Sequence, residues 1–327
     1  MTSTPPLTLR YLSHADVVSL ALPMADVISA VEAAFAEKGN GTVEMPPKPG
    51  VHPLPDAFIH AMPAYLKGMG AAGLKWVSGF PRNADRGLPY IAGLFVLNDV
   101  HTGLPLAVMD CTWITGARTG AATAVAAKHL ARPESKTVGI LACGVQGRTN
   151  LQALSCVFSL ERVHAYDIDP VKAQAYAEEM GDVLGLDVVT VPTPREAVTG
   201  MDLVVTSGPI LKRPSPTIEA GWLSPGSFAS PVDFDSYWTP AALAEVDRLA
   251  TDDKDQMEYY RTVGYFAQTP APYADLGEIV AGRHPGRQSP EERTMSMNLG
   301  LAIEDVATAR ILYARAMESG LGTDLPL

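Results

Sequence analysis

The chain has 327 residues, 47% of them hydrophobic, and a formal net charge of -11. That length admits two domains or one large one, and an acidic balance without a run of Lys and Arg excludes a nucleic-acid surface. MTSTPPLTLR is no export signal, no window nears the roughly 18 apolar residues of a membrane span, and Cys111, Cys143 and Cys156 lack C-x-x-C spacing, so the expectation is a cytoplasmic protein. The seven histidines form no H-x-x-x-H pair, and no metal is expected.

Two short helical patterns open the chain. Ser13 caps the first and Pro23 opens the second, where Met24, Val27, Ile28, Val31 and Phe35 recur at helical spacing. Strand-type runs at 58–66, 72–80, 91–98 and 106–110, separated by Gly, Pro and Asn/Asp turns, predict an antiparallel, meander-like layer. Lys75 lies inside the second run between Leu74 and Trp76. It is either a snorkelling edge-strand lysine or an ammonium put to use, because an unpaired buried cation is costly. After Thr115 a helix of small residues begins, and Arg118 in its first turn opposes the usual preference for acids there. Its small neighbours leave the guanidinium room to reach a cleft.

Residues 136–141 (KTVGIL) read as a strand that ends at a turn resembling G-x-G-x-x-G, with Ala142, Gly144 and Gly147 at the three glycine positions. A helix over 147–158 and a strand over 163–167 complete a βαβ unit. Gly144 lets backbone N–H groups approach a pyrophosphate, Gly147 allows tight helix–strand packing, and Ala142 replaces a residue whose small size eases the turn. Asp167 ends the second strand, where a carboxylate accepts from the adenine ribose hydroxyls. With Ile168 following instead of an arginine, the pattern favours NAD over NADP.

Strands at 187–191, 202–207 and 248–251, the first two separated by the helical PREAVTG, extend a doubly wound parallel sheet. Ser207-Gly208-Pro209 falls at a strand's carboxyl end, either a ligand edge or an ordinary turn. The stretch 225–238 (PGSFASPVDFDSYW) reads as a loop bearing Asp233 and Asp235, and 270–290 is the loosest region. A closing helix over 299–318, with Gly320 near its stop, has a broad apolar stripe that needs a partner surface, such as the first domain.

The segments PPKPG (46–50), AMPAYL (61–66), GLKWVSGFPRN (73–83), VLNDVHTGLPLAVMD (96–110), TGARTGAATAVAAKHLA (115–131), GVQG (144–147), DLGEIVAG (275–282) and NLGLAIEDVATA (298–309) together resemble the ornithine cyclodeaminase/mu-crystallin family. The resemblance covers nearly the whole chain and implies an α/β fold of two parts. One is a Rossmann-type, doubly wound parallel sheet over 119–298 that binds NAD(P), read here as NAD from Asp167. The other is a discontinuous α+β domain, 1–118 with 299–327, for substrate binding and assembly into a homodimer. It further implies that Lys75 and Arg118 hold a substrate carboxylate, Lys75 near the reacting carbon, with Lys48 assisting where members often have arginine. With Gly144, Asp167 and Ser207, the matching Thr119, Val145, Gln146 and Asn298 complete the cofactor set.

Cyclodeaminases carry a G-D-C-P-G-K-type stretch at 225–238, whose aspartate handles the substrate amine. Here Asp235 aligns best and Asp233 is its rival, but the glycines that surround the family's aspartate, and its lysine, are absent. The resulting reading is an NADH-dependent reductase of a small imino acid, or the equivalent amino-acid dehydrogenase. His60 and Lys48 would meet a second anionic group in a dicarboxylic imine, as in reduction of iminosuccinate to aspartate, unless His60 simply faces solvent. Two rivals stand beside it: a cyclodeaminase that recycles NAD and loses ammonia, and a mu-crystallin-like binding protein without turnover.

Overall fold

The computed structural model describes residues 7–54 and 56–327 and divides the chain into two compact units, Met1–Arg118 with Leu301–Leu327, and Thr119–Gly300. In the first, an eight-stranded sheet runs Thr323–Pro326, Thr8–Leu12, Pro105–Asp110, Ile91–Asn98, Ala71–Gly79, Phe58–Leu66, Val43–Glu44, with Gly50–Val51 also paired to Phe58–Leu66. The four long central strands are antiparallel, as their turn signals predict. The edges differ from expectation: Thr8–Leu12 lies parallel to Pro105–Asp110 and is itself flanked by the C-terminal strand. Such short segments carry little periodicity, and partners remote in sequence hold them in place.

Alternation along the central strands puts Met62, Lys75, Val77 and Phe95 on one face, all buried. Helix Ala302–Ser319 lies across Phe58–Leu66, Ala71–Gly79 and Ile91–Asn98 and packs on helix Met24–Gly39. Its first eight residues are buried, including Glu304 and Asp305. The opposite face of the sheet leaves Tyr11, Trp76 and Leu94 exposed, at 38%, 49% and 44%.

In the second unit eight parallel strands run Asp187–Thr190, Arg162–Tyr166, Thr137–Leu141, Leu203–Thr206, Phe228–Pro231, Thr294–Met297, Arg248–Thr251, Ala274–Asp275. The strand order reverses between Thr137–Leu141 and Leu203–Thr206, the switch point at which doubly wound sheets bind ligands. Two central strands lie outside those that the sequence pattern predicts. Phe228–Pro231 (FASP) lies in what reads as a loop, and Thr294–Met297 (TMSM) has no β-branched run, yet both are wholly buried. The stretch 270–290 is also less loose than its composition suggests. Arg287 donates to the carbonyls of Leu130 and Ser227 and to Thr294 Oγ1, tying it to the sheet.

Among the described residues no helix is long and apolar enough to cross a membrane, and no cluster of His, Cys, Asp and Glu could hold a metal ion.

Candidate active site

In the first unit, Lys75 and Arg118 are both buried. The strand pairing that buries Met62 and Phe95 beside Lys75 takes its ammonium out of water, and the C-terminal helix supplies its counter-charge. Lys75 Nζ donates to Asp305 Oδ1 at 2.7 Å. Arg118 Nη1 donates to Glu304 Oε2 at 2.9 Å, and its Nε lies 3.2 Å from Asp305 Oδ1. Glu304 Oε1 also accepts the N–H of Leu301 at the helix start. Two cations and two carboxylates thus form one buried network, a costly arrangement unless every member is paired or used. Burial lowers the Lys75 ammonium to about 8, opposed by Asp305 and assisted by Arg118. Burial likewise raises the Glu304 carboxyl, against the pull of Arg118. Cys111, close enough to feel Lys75, is pushed up to about 12 by burial and is no thiolate nucleophile at neutral pH.

Lys48 is half-buried, in the segment entering Gly50–Val51, whose Gly50 pairs with His60. His60 stacks on Phe58 at 4.4 Å, and burial, then Lys48, His52 and Lys75, lower it to about 4. The imidazole is therefore neutral at pH 7.

In the second unit, Gly144 is the N-cap of helix Val145–Ser155, which begins two residues earlier than its sequence pattern suggests. No side chain caps this N-terminus, and a Cβ at Gly144 would meet nothing within 4 Å, so first-turn N–H groups and open space lie together. Val145 is exposed and Gln146 half-buried in that turn. A Cβ at Gly147 would lie 2.6 Å from the carbonyl oxygen of Ala142, which enforces glycine there. Ala142 has φ +74°, so the missing glycine costs backbone strain beyond any question of side-chain size.

Asp167 adjoins this turn. Its Oδ2 accepts the Cys143 N–H at 2.8 Å and its Oδ1 the Asp169 N–H at 3.0 Å, fixing the carboxylate at the strand's end, with Ile168 exposed beside it. Ser207 Oγ donates to the Ala142 carbonyl at 2.9 Å, bringing a third strand end to the same turn. Arg148, which the sequence reading passed over, donates from Nη1 to the carbonyls of Cys143 and Gly144 and so braces the turn from within. Thr119 is half-buried in the helix whose Gly120 packs against the Thr149 carbonyl. Asn298 is buried; its Oδ1 accepts from Ser296, and its Nδ2 has no hydrogen-bond partner among the described residues. An open helix N-terminus, an anchored carboxylate and an unmatched amide donor fit a dinucleotide.

The two aspartates of 225–238 separate. Asp233 is fully buried, accepting from Thr206 Oγ1 at 2.7 Å and the Gly208 N–H at 2.8 Å, and burial raises its carboxyl to about 7. It braces the Ser207–Gly208 turn from behind. Asp235 is half-buried, accepts from Thr269 Oγ1 at 2.8 Å, and lines a cavity of about 300 Å³ with Trp238, Tyr265 and Phe266. Phe234 and Trp238 belong to the apolar core of this unit.

The sequence reading missed Glu304 and Asp305. Their signal was two adjacent acids inside an apolar helical face, AIEDVATA, which burial makes informative only when cations are opposite.

The ornithine cyclodeaminase/mu-crystallin family matches the chain over residues 10–320. An alanine dehydrogenase of Archaeoglobus fulgidus is 35% identical over 325 residues, 96% of this chain and 97% of that one. The structure of Delta(1)-pyrroline-2-carboxylate reductase of Thermococcus litoralis, in complex with NADH and L-proline, superposes with a TM-score of 0.88 at 35% identity, covering 97% of this chain and 100% of that one. An archaeal alanine dehydrogenase dimer with bound NAD superposes at 0.87 and 33% identity, covering 98% and 100%.

Proposed function

The chain belongs to the ornithine cyclodeaminase/mu-crystallin family, and we propose that it is an NAD-dependent oxidoreductase acting on the C=N or CH–NH bond of a small imino or amino acid. The observation that carries this reading is the buried Lys75–Asp305–Arg118–Glu304 network, which sets two cations side by side out of water, the charge pattern that a substrate carboxylate matches. Two relatives above 30% identity are named an alanine dehydrogenase and a pyrroline-2-carboxylate reductase, enzymes of α-nitrogen monocarboxylates.

When bound, NADH would supply a hydride to the carbon of the protonated imine, the C=N π pair becoming the nitrogen's lone pair, to give amine and NAD. The chain's own residues bind and orient. Arg118 and Lys75 grip the carboxylate, Lys48 adds charge nearby, and Lys75, lowered to about 8, can hold or release a proton at Nζ near neutral pH. The Gly144 turn with Val145 and Gln146 takes the pyrophosphate and Asp167 the ribose, favouring NAD over NADP. Ser207, Thr119 and the Asn298 amide contact the remainder.

Phe234 and Trp238, committed to the core, leave no flexible glycine-rich loop to fold a diamine, which favours reduction over cyclodeamination. A compact monocarboxylate is the substrate class. The dicarboxylic alternative, iminosuccinate to aspartate, draws its second anion site from Lys48 alone, since His60 is neutral at pH 7. The exposed sheet face of Tyr11, Trp76 and Leu94 supports a homodimer, as in the alanine dehydrogenase neighbour. A cytoplasmic location suits its three free cysteines.

The test is NADH consumption with pyruvate plus ammonia or methylamine, Δ1-pyrroline-2-carboxylate, and oxaloacetate plus ammonia, with ornithine alongside and NADPH as the competing cofactor. Consumption matched by amino acid formed is expected with pyruvate and with Δ1-pyrroline-2-carboxylate, and not with oxaloacetate. Proline from ornithine at constant NADH would refute the reductase reading. Binding without turnover of any substrate would favour a carrier, and consumption confined to oxaloacetate would restore the dicarboxylate.

A further inference from the structure

An α-imino acid carries its nitrogen and its carboxylate on adjacent carbons. The group that receives the iminium N–H must therefore lie close to the cations that hold the carboxylate. Asp305 meets that condition within the first unit. Its Oδ1 accepts from Lys75 Nζ at 2.7 Å and lies 3.2 Å from Arg118 Nε, whereas its buried Oδ2 has no hydrogen-bond partner among the described residues. A buried carboxylate oxygen left unmatched is unfavourable unless something else supplies the donor. Glu304 is not in that position, because its Oε1 takes the Leu301 N–H and its Oε2 takes Arg118.

We propose that Asp305 is a catalytic residue whose Oδ2 receives the N–H of the substrate's iminium or ammonium group, while its Oδ1 keeps Lys75 and Arg118 aimed at the carboxylate. The assignment rests on the reading of Lys75 and Arg118 as carboxylate ligands. Its chemical consequence is that the imine nitrogen stays protonated, the form whose carbon accepts a hydride. The charge that the resemblance assigns to the 225–238 loop is then supplied by the helix that follows residue 301. An α-amino acid product is recognised by the same pairing, ammonium to Asp305 and carboxylate to the two cations.

The test uses the enzyme with NADH bound, which cannot oxidise an amino acid, and two ligand pairs that differ in nitrogen: L-alanine against propionate, and L-proline against cyclopentanecarboxylate. In Asp305→Asn, affinity for the amino acids should fall about 30- to 100-fold, the scale of a lost charged hydrogen bond. Affinity for the nitrogen-free acids should change less than about threefold, because the asparagine oxygen can still accept from Lys75. Parallel loss for both classes would show that Asp305 only positions the cations and would overturn the proposal, as would no loss for either. Selective loss in Asp235→Asn instead of Asp305→Asn would also overturn it. Should thermal unfolding show that Asp305→Asn does not fold, Asp305→Ser carries the same comparison. A wild-type enzyme that binds the nitrogen-free acids but no amino acid refutes this assignment alone; one that binds none of the four removes the carboxylate-clamp reading beneath it.

Discussion

Replacing Ala142 with glycine, the residue missing from the dinucleotide fingerprint, should stabilise the second unit. Ala142 holds φ +74°, and an L-residue in the left-handed region pays about 1–2 kcal/mol. Glycine escapes that penalty but gives back about 0.5–1 kcal/mol through its more flexible unfolded state. The methyl group is only half-buried, so little apolar contact is lost. The net gain is about 0.5–1 kcal/mol, which for a unit of this size raises the melting temperature by about 1–4 °C. The main-chain path is unchanged, with the Ala142 N–H still donating to the Tyr166 carbonyl and its carbonyl still accepting from Ser207. NADH affinity should therefore stay within about twofold of wild type. Ala142→Val should melt lower than wild type, because a β-branched side chain is a severe outlier at that φ. Scanning calorimetry and NADH fluorescence titration on the three proteins provide the check. A lower melting temperature for Ala142→Gly, or none for Ala142→Val, would show that the turn is not held in the left-handed conformation.

Two glycines of the same turn should behave oppositely. Gly144→Ala should leave thermal stability unchanged while weakening NADH binding at least about tenfold, roughly 1.4 kcal/mol, whereas Gly147→Ala should lower stability by about 1–3 kcal/mol because its Cβ meets the Ala142 carbonyl oxygen. Reductive kcat/KM should fall as pH rises through about 8, where Lys75 loses its charge, with no matching change in NADH affinity; a flat profile to pH 9 would remove Lys75 from the clamp. Asp233, raised from 3.8 to about 7, keeps its proton in the folded chain where the unfolded chain has lost it, so its effect disfavours folding progressively from pH 3.8 to 7 and fully above. Asp233→Asn should gain stability relative to wild type across that window, measured by denaturant unfolding at pH 4 to 8, and a constant difference would contradict the assigned cause. Trp76→Glu with Leu94→Glu should yield monomers by sedimentation, and an unchanged dimer would place the interface elsewhere.

The local pattern of this chain determined much of its architecture. Period-two runs made the central meander legible, and the strand, glycine turn, helix and Asp167 identified a dinucleotide unit, because backbone geometry at a tight turn restricts which residues can occupy it. The residues that combine segments remote in sequence were not legible. FASP and TMSM become central strands because neighbouring strands bury them, a condition that no local propensity encodes. Asp233 and Asp235 look alike two residues apart, yet one braces a turn and the other lines a cavity, since the chain between them turns through Phe234 at φ +62° and sends their side chains to different surroundings. Lys75 and Arg118 could be singled out from sequence as cations in improbable places, but their counter-charges lie about 190 to 230 positions away at Glu304 and Asp305. Only tertiary packing brings those carboxylates under the sheet, and an electrostatic pairing in a water-poor interior depends on that proximity and on nothing the chain displays locally.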